Sequence, residues 1–267
     1  MAVWATAFAA VVAFMGIGLV DPILPAIAVH LEASASQVSL LFTSYFLITA
    51  VAMLGTGWVS SRIGGERTLL LGLGIVVLFA GLAGTSGSVG ELVGFRAGWG
   101  LGNALFVATA LAVIVGAASG GTESAIILYE AALGLGISLG PLVGALLGDA
   151  SRRYPFFGTA ALMAVGFVLI ATLLRPTPKP ATPTGITAPL KALRHGGLAT
   201  TAFTALFCNY AFFTILAFTP FILGMDAHGI GLVFFGWGVL VAVASGWPPP
   251  AARASSSSRS CPACRSA

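Results

Sequence analysis

The sequence predicts an all-α membrane protein, and its composition and the spacing of its apolar segments indicate this class. Hydrophobic residues make up 58% of the 267 residues, charged residues make up only 7%, and the mean hydropathy is +1.02. A soluble domain typically carries about a quarter charged residues, so this chain could not cover its surface for water. Apolar stretches close to the ~20 residues that a membrane-spanning helix needs recur along the chain.

Eight of these stretches are predicted to span the membrane. The first lacks a basic leading segment and a small-residue cleavage site, so we expect a retained span and not a signal peptide. The predicted spans cover residues 4–29, 38–60, 68–86, 90–115, 123–148, 155–174, 200–223 and 229–246.

The longest connection separates six predicted spans from two. It is rich in proline and threonine, so it cannot be a span. The sequence therefore predicts an N-terminal six-helix bundle, a linker, a partial second bundle of two spans and a tail, at residues 1–174, 175–199, 200–246 and 247–267.

Basic residues in the connections predict the orientation. One side receives Arg62, Arg67, Arg175, Lys179, Lys191 and Arg194, and the other side receives Arg152 and Arg153. Because Lys and Arg accumulate in cytoplasmic loops, we expect the first set and the N-terminus in the cytoplasm. We expect the protein in the plasma membrane as a multi-pass protein.

The tail after residue 246 has no amphipathic period and is dominated by Ser, Pro, Ala and Arg. It is either a native disordered tail or the product of a frameshift, and the interruption of the eighth span favours a truncated product. We expect residues 247–267 to form no span, because they cannot bury enough apolar surface to offset the entropy of ordering. The CPAC sequence has no second ligand pair and is interpreted as a coincidence.

A stripe of glycines marks span five, in GLGISLGPLVGALLG. Glycines four residues apart, at 136, 140, 144 and 148, leave one face of the helix without side chains. We expect this face to meet another helix, one of the second half or its substitute, and not lipid. Pro141 removes one helical hydrogen bond and favours a bend.

On these residues the chain resembles the major facilitator superfamily and, within it, the twelve-span drug/proton antiporters. The fifth span of that group carries G-x-x-x-G-P-x-x-G-G, the antiporter motif. Gly136, Gly140, Pro141 and Gly144 match it, and Ala145 replaces the last glycine. FRAGWGLGNA in span four is similar to the group's R-x-x-Q-G-x-G pattern, with Arg96, Gly100 and Gly102 matching and Trp99 in place of glutamine.

The connection between spans two and three resembles the group's G-x-x-x-D-R-x-G-R-R/K loop. Gly57, Arg62, Gly64 and Arg67 or its neighbour fit that pattern, and Gly65 replaces the arginine that follows the second glycine. Ser61 replaces the aspartate, which in the group is thought to hold the outward-facing state through contacts with the other half. The resemblance therefore implies that this contact is lost here.

The resemblance also implies a fold and an activity. Members of the superfamily have two six-helix halves around a central cavity, joined by a cytoplasmic loop. Here the first half would be complete and the second would stop after about two spans, so we expect a truncated member that lacks half of its transport path.

Two residues of opposite charge lie deep inside predicted spans and interrupt them. Asp21 and Arg96 lie ~12 Å and ~10 Å below the outer surface at 1.5 Å per residue, so they lie at one level. Each alone would carry a large desolvation penalty, and we expect them to approach each other. Asp21 is either a buried proton carrier or a structural partner of an arginine, and Arg96 is either part of this coupling or a structural tie between helices.

Three further polar residues are candidates. Glu130 is either a second protonatable site or a residue that snorkels to the cytoplasmic end of span five. Asn209 and Tyr210 in span seven either contact a substrate or bond to another helix.

Three functions are compatible with the sequence. The first is a proton-coupled exporter of small amphipathic molecules, which the glycine and proline pattern of span five favours. The second is a facilitator of another small solute, and the third is a non-transporting truncated or scaffold membrane protein, which the tail favours. We expect no enzymatic activity, no metal and no nucleic-acid partner. A proton gradient would be the energy source, no cofactor is implied, and the partners would be a small-molecule substrate, protons and the lipid bilayer.

Overall fold

The described part of the chain consists of helices that are joined by turns and short loops. In the computed structural model, residues 2–19, 23, 27, 29–117, 121–174 and 184–245 are described. Nine helices lie within these residues: α1 Ala2–Gly18, α2 Ala35–Ile63, α3 Gly65–Thr85, α4 Val89–Ala117, α5 Gly121–Ala150, α6 Tyr154–Leu173, α7 Ala188–Ala192, α8 Gly196–Leu223 and α9 Ala227–Ser245.

Each of the eight predicted spans overlaps an apolar helix among the described residues. Six helical stretches are long and apolar enough to cross a membrane: Ser36–Ile63, Gly65–Thr85, Val89–Gly116, Gly121–Gly148, Tyr154–Leu173 and Gly196–Ile215. The first and last predicted spans contain shorter apolar helices among the described residues, Val3–Gly18 and Gly229–Leu240. The tail prediction for residues 247–267 lies outside the described residues.

Helix α4 lies at the centre of the first six helices and packs on α1, α2, α3 and α5. Its glycines allow this crowding. A Cβ at Gly102 would lie 2.7 Å from the carbonyl oxygen of Gly72 on α3, and a Cβ at Gly72 would lie 2.8 Å from the carbonyl oxygen of Gly102. Helices α3 and α4 therefore pack backbone against backbone, as glycines permit in membranes.

A glycine reverses the chain between α2 and α3. Gly64 has a φ of 94°, a conformation that residues with a Cβ rarely adopt. Its N–H donates to the carbonyl oxygen of Ser60 at 2.9 Å, and its own carbonyl oxygen accepts the Thr68 hydroxyl at 2.8 Å. This single residue thus ends one spanning helix and begins the next.

The last two long helices pack differently from each other. Helix α9 packs along α5, whereas the side chains of α8 are mostly exposed. Helix α8 contacts its neighbours through aromatic rings. The ring centre of Phe213 lies 4.6 Å from that of Phe46 on α2, and the ring centre of Phe212 lies 5.1 Å from that of Trp237 on α9. The first six helices therefore form one core. Helix α9 packs closely on this core, whereas α8 contacts it only slightly.

Candidate functional site

Arg96 is completely buried inside the first six helices. Its side chain is 0% exposed, although it lies in a helix long and apolar enough to cross a membrane. Its Nη1 donates to the carbonyl oxygen of Gly16 on α1 at 3.4 Å. Its guanidinium carbon lies 4.6 Å from the ring centre of Tyr45 and 4.7 Å from that of Trp99. The cation is thus surrounded by aromatic faces and by backbone of α1.

The sequence of α4 explains how the aromatic rings reach the cation. Trp99 follows Arg96 by three residues, so both side chains lie on one face of the helix. A Cβ at Gly100 would lie 2.5 Å from the carbonyl oxygen of Tyr45, so only glycine allows α2 to approach this closely. The Thr49 hydroxyl fixes the approach through a hydrogen bond to the carbonyl oxygen of Gly100 at 3.1 Å.

Further polar atoms are buried around this cation. Among the described residues, the Trp99 indole nitrogen and the Asn103 amide oxygen have no hydrogen-bond partner. The buried Tyr45 hydroxyl lies beside the Asn103 side chain. A buried polar atom without a partner costs ~1–3 kcal/mol, and a functional role is one explanation for such a group. We refer to Arg96, Tyr45, Trp99 and Asn103 as the Arg96 cluster.

Sequence reasoning found Arg96 but missed its surroundings. Asn103 follows Arg96 by seven residues, two helical turns, so the 3.6-residue period could have placed it on the same face. Tyr45 is 51 positions away on another helix, and nothing in its local sequence indicates the contact.

The predicted partner of Arg96 is Asp21, which lies outside the described residues. The described contact of Arg96 with α1 is at Gly16, five positions earlier in the chain. The pairing of Asp21 with Arg96 stays a prediction.

The other polar candidates are not in the Arg96 cluster. Glu130 is exposed on α5, and Tyr210 is 73% exposed on α8. The Asn209 amide donates to the carbonyl oxygen of Ala205, one turn earlier in its own helix, at 2.9 Å. The structure shows no bond from Asn209 to another described helix, and the substrate-contact alternative stays a prediction.

The glycine stripe of α5 meets a helix, as expected, but the expected partner is wrong. A Cβ at Gly136 would lie 2.5 Å from the carbonyl oxygen of Val11, and one at Gly140 would lie 2.6 Å from that of Met15. Gly144 abuts the backbone of Leu19 in the same way. The partner is therefore α1 of the first half, because the stripe provides the flat face that allows backbone contact between these two helices.

Pro141 lies within α5, which remains helical on both sides of it. Because proline has no N–H, the carbonyl of Ile137 loses its helical donor. Gly18 of α1 lies against this position, where a Cβ would be 3.0 Å from the Pro141 ring. The proline thus belongs to the α1 contact together with the glycines.

The helix from the second half packs on a neighbouring face of α5. A Cβ at Gly231 of α9 would lie 3.1 Å from the carbonyl oxygen of Pro141. Farther along, a Cβ at Gly238 would lie 2.7 Å from the Cβ of Ser138. Small residues therefore allow close packing of α5 on both sides, on α1 and on α9.

The loop residues between α2 and α3 lie at one end of the bundle. Gly64 makes the turn, Arg67 is exposed, and the exposed guanidinium of Arg62 lies 4.5 Å from the Trp58 ring centre. Gly57 lies beside Thr184, whose methyl group would be 3.9 Å from a Cβ there.

Ser61, which stands in place of the group's aspartate, is buried and has a partner of its own. Its hydroxyl oxygen accepts the backbone N–H of Thr184 at 3.1 Å and its hydroxyl donates to the carbonyl oxygen of Trp58 at 2.9 Å. The serine thus attaches the linker between α6 and α8 to the turn.

Comparison with known proteins places this geometry in a family. The sequence profile described as "Major Facilitator Superfamily" matches residues 6–260. The chain is 58% identical over 249 residues to the multidrug efflux protein YfmO of Bacillus subtilis (strain 168), covering 93% of this chain and 63% of that protein. It is 32% identical over 149 residues to the tetracenomycin C resistance and export protein of Streptomyces glaucescens, covering 54% of this chain and 28% of that protein.

Solved structures show the same fold. A bacterial homologue of the human lysosomal transporter Spinster, inward-facing and unoccupied, superposes with a TM-score of 0.73 at 17% identity, covering 91% of this chain and 60% of that chain. A D-xylose–proton symporter superposes with a TM-score of 0.67 at 15% identity, covering 90% of this chain and 66% of that chain. The chain thus spans about three fifths to two thirds of the length of the Bacillus relative and of these two structures. The profile match covers nearly the whole chain, and the chain belongs to the Major Facilitator Superfamily.

Proposed function

We propose that this chain is the substrate-binding and proton-coupling part of an exporter of small amphipathic molecules. It would lie in the plasma membrane as a multi-pass protein with its N-terminus in the cytoplasm. Export would be driven by exchange for protons, so the energy source is a proton gradient and no cofactor is required.

The observation that carries this proposal is the burial of Arg96. A charged side chain within a spanning helix is costly, and such residues mark ion or substrate pathways. Arg96 is fully buried and lies beside polar atoms of Trp99 and Asn103 that have no described partner. A purely structural tie would be expected to satisfy its neighbours, so the cluster is better suited to a group whose partners change during a cycle.

Asp21 supplies the titratable group in this mechanism. Arg96 contacts the carbonyl of Gly16, and Asp21 lies five positions after Gly16 in the chain. Pro22 and Pro25 follow Asp21. In the proposed cycle, the Asp21 carboxylate is held by Arg96 in one state and takes up a proton in the other. Protonation removes the charge that Arg96 attracts, so α1 is released from α4 and the cavity changes its access.

The glycine stripe of α5 supports a coupled movement of α1. Backbone contact at Gly136 and Gly140 makes α1 and α5 one packed pair, and α9 is seated on the adjacent face of α5. A shift of α1 would therefore reach α5 and α9 through direct packing, as in rocking of one repeat against the other.

The relatives favour export over uptake. Two of them, from Bacillus subtilis and Streptomyces glaucescens, are named for drug efflux or for resistance and export. The fold itself does not decide direction, since a D-xylose–proton symporter shares it.

Reconstitution tests this function. A chimera would carry residues 1–245 of this chain followed by the part of the Bacillus subtilis relative that aligns beyond them, and the 267-residue chain would be assayed in parallel. In liposomes with an acidic lumen, the chimera should accumulate ethidium, a cationic aromatic dye, and a protonophore should abolish the accumulation. Dye equilibration that ignores the pH gradient would instead indicate a facilitator, and no dye movement by the chimera would refute transport of this class of compound.

A further inference from the structure

The linker before α8 forms helical turns at one end of the bundle. Backbone N–H groups of Ala188, Lys191 and Arg194 donate to carbonyl oxygens three or four residues earlier, at 3.0, 3.0 and 3.1 Å. The segment is attached to the turn between α2 and α3, because the Thr184 N–H donates to the Ser61 hydroxyl oxygen. We call residues 184–195 the linker helix segment.

One face of this segment is apolar and exposed. Ile186, Leu190 and Leu193 are 60%, 57% and 44% exposed. They are spaced by four and three residues, so in a helical conformation they share one face. Three large aliphatic side chains on one face of a short segment need a non-aqueous environment, since in water they would form an uncovered apolar patch.

Cationic side chains flank that face. Lys191 and Arg194 are exposed and three residues apart, so they lie on one side of the segment, with Arg194 next to the apolar stripe and Lys191 farther round. Arg62 and Arg67, on the turn to which the segment is attached, are also exposed, and Glu66 is the acidic residue of that turn. Positive charge therefore exceeds negative charge at this end of the described structure.

The segment lies at the level where spanning helices end. It continues directly into α8, which begins at Gly196, and it contacts the turn where α2 ends and α3 begins. Its apolar face is therefore close to the boundary between lipid and water, where a short amphipathic segment can bury apolar side chains and keep its cations wet.

We propose that the linker helix segment is a lipid-binding surface for anionic phospholipids. Ile186, Leu190 and Leu193 enter the boundary between headgroups and acyl chains, and Lys191 and Arg194 bind lipid phosphates. The anionic headgroup is chosen because these cations border the apolar face, and a polybasic segment next to a span is attracted by an anionic leaflet. This inference does not depend on the transported compound or on proton coupling.

Spin labels in the full chain test the position of the segment. Cys208, Cys261 and Cys264 are first replaced by serine, and a nitroxide is attached at Leu190→Cys or, outside the apolar stripe on the flank away from Arg194, at Ala192→Cys. Vesicles contain either phosphatidylcholine alone or phosphatidylcholine with phosphatidylglycerol. We measure the accessibility of each label to oxygen, which partitions into lipid, and to a water-soluble nickel complex.

In anionic vesicles, the ratio of oxygen to nickel accessibility should be severalfold higher at position 190 than at position 192. A label at 190 that the nickel complex reaches freely would place the segment in water and overturn the proposal. A label at 190 that neither reagent reaches would show that protein covers the face, and this result would overturn it as well.

Charge removal tests the headgroup contact. The double substitution Lys191→Gln and Arg194→Gln should lower the ratio at position 190 in anionic vesicles and leave it unchanged in phosphatidylcholine. About 1 M salt should act in the same way, because it shortens the screening length to ~3 Å.

Arg152→Gln with Arg153→Gln is the matched control, because these residues lie at the opposite end of the bundle. Helix α6, which follows them, runs antiparallel to α3, since Phe157 packs at Gly84 and Phe167 lies near Gly74. This control should leave the ratio unchanged. Equal effects of the two double substitutions, or no effect of lipid charge, would refute the contact with anionic headgroups.

Discussion

At the scale of single residues, the environment of Arg96 differs from that of the other arginine that stacks on a described aromatic ring. Both Arg96 and Arg62 lie over a tryptophan ring, at 4.7 and 4.5 Å, but Arg96 is buried and Arg62 is exposed. A cation–π contact is worth about 0.5–1 kcal/mol at an exposed site and ~2 kcal/mol when it is desolvated. The same substitution should therefore have different effects at the two positions.

The first prediction compares Arg96→Lys with Arg62→Lys. Lysine keeps the charge but loses the planar guanidinium that stacks on rings and donates to the Gly16 carbonyl. We expect Arg96→Lys to lower the free energy of unfolding by about 1–3 kcal/mol, since a buried partner is left unsatisfied, and Arg62→Lys to change it by less than about 0.5 kcal/mol. Thermal unfolding of the chain in nanodiscs measures both, and equal melting temperatures for the two variants would contradict the description of the Arg96 cluster.

The second prediction concerns the glycine stripe. Gly140→Leu must displace the backbone of α1, because even a Cβ there would lie 2.6 Å from the Met15 carbonyl oxygen. Overpacking of this kind costs about 1–3 kcal/mol or more. Gly134→Leu, two residues outside the stripe and with no atom within 4 Å of a Cβ, should be tolerated. Size-exclusion profiles and melting temperatures of the two purified variants should differ, and equal tolerance of both would show that α1 does not lie on this face.

At the scale of helices, α5 connects the two halves of the molecule. Its glycines contact α1 and its Ser138 contacts α9, so one helix is packed on both sides through small residues. The stripe itself could be predicted from spacing alone, because glycines four residues apart necessarily share a face. Its partner could not, because a smooth face accepts any helix, and the residues of α1 that it meets are not distinctive in sequence.

The third prediction tests the contact between α5 and α9. With the native cysteines replaced by serine, Ser138→Cys and Gly238→Cys should form a disulfide under mild oxidation. Their Cβ positions lie 2.7 Å apart, so the helices need to move apart only slightly to reach the Cβ–Cβ distance of ~3.5–4.5 Å that a disulfide needs. Leu146→Cys paired with Gly238→Cys is the control, because Leu146 is exposed and lies ~12 Å farther along α5. Electrophoretic mobility and mass spectrometry report the bond. Efficient bridging of the control pair, or none in the test pair, would contradict the seating of α9.

At the scale of the whole molecule, the fold class and the apolar helices follow from composition and apolar run length, because a bilayer demands helices of a fixed minimum length. Burial of Arg96 also follows, since a cation inside a span must face the bundle interior. The aromatic neighbours of Arg96 and the bond from Thr184 to Ser61 do not follow. These contacts join positions far apart in the chain, and they depend on how the helices pack and not on any local pattern.

The fourth prediction is the orientation of the bundle. The basic residues of the loops predict that the turn between α2 and α3 is cytoplasmic. The turn between α5 and α6 lies at the other end of the structure. In intact cells producing the chain with its native cysteines replaced by serine, a membrane-impermeant maleimide should label Arg153→Cys and should label Arg67→Cys only after lysis. The reverse pattern would show that the protein is inserted the other way round.

The central claim, that Asp21 and Arg96 couple proton movement to export, is tested most directly by Asp21→Asn in the chimera described above. Asparagine keeps the size of the side chain and removes the titratable proton, so dye accumulation driven by the pH gradient should disappear while membrane insertion is retained. Ile17→Val, a small apolar change in the same helix, serves as the control and should transport normally. Loss of gradient-driven accumulation only in Asp21→Asn is the result that the account predicts, and undiminished accumulation in that variant would contradict it.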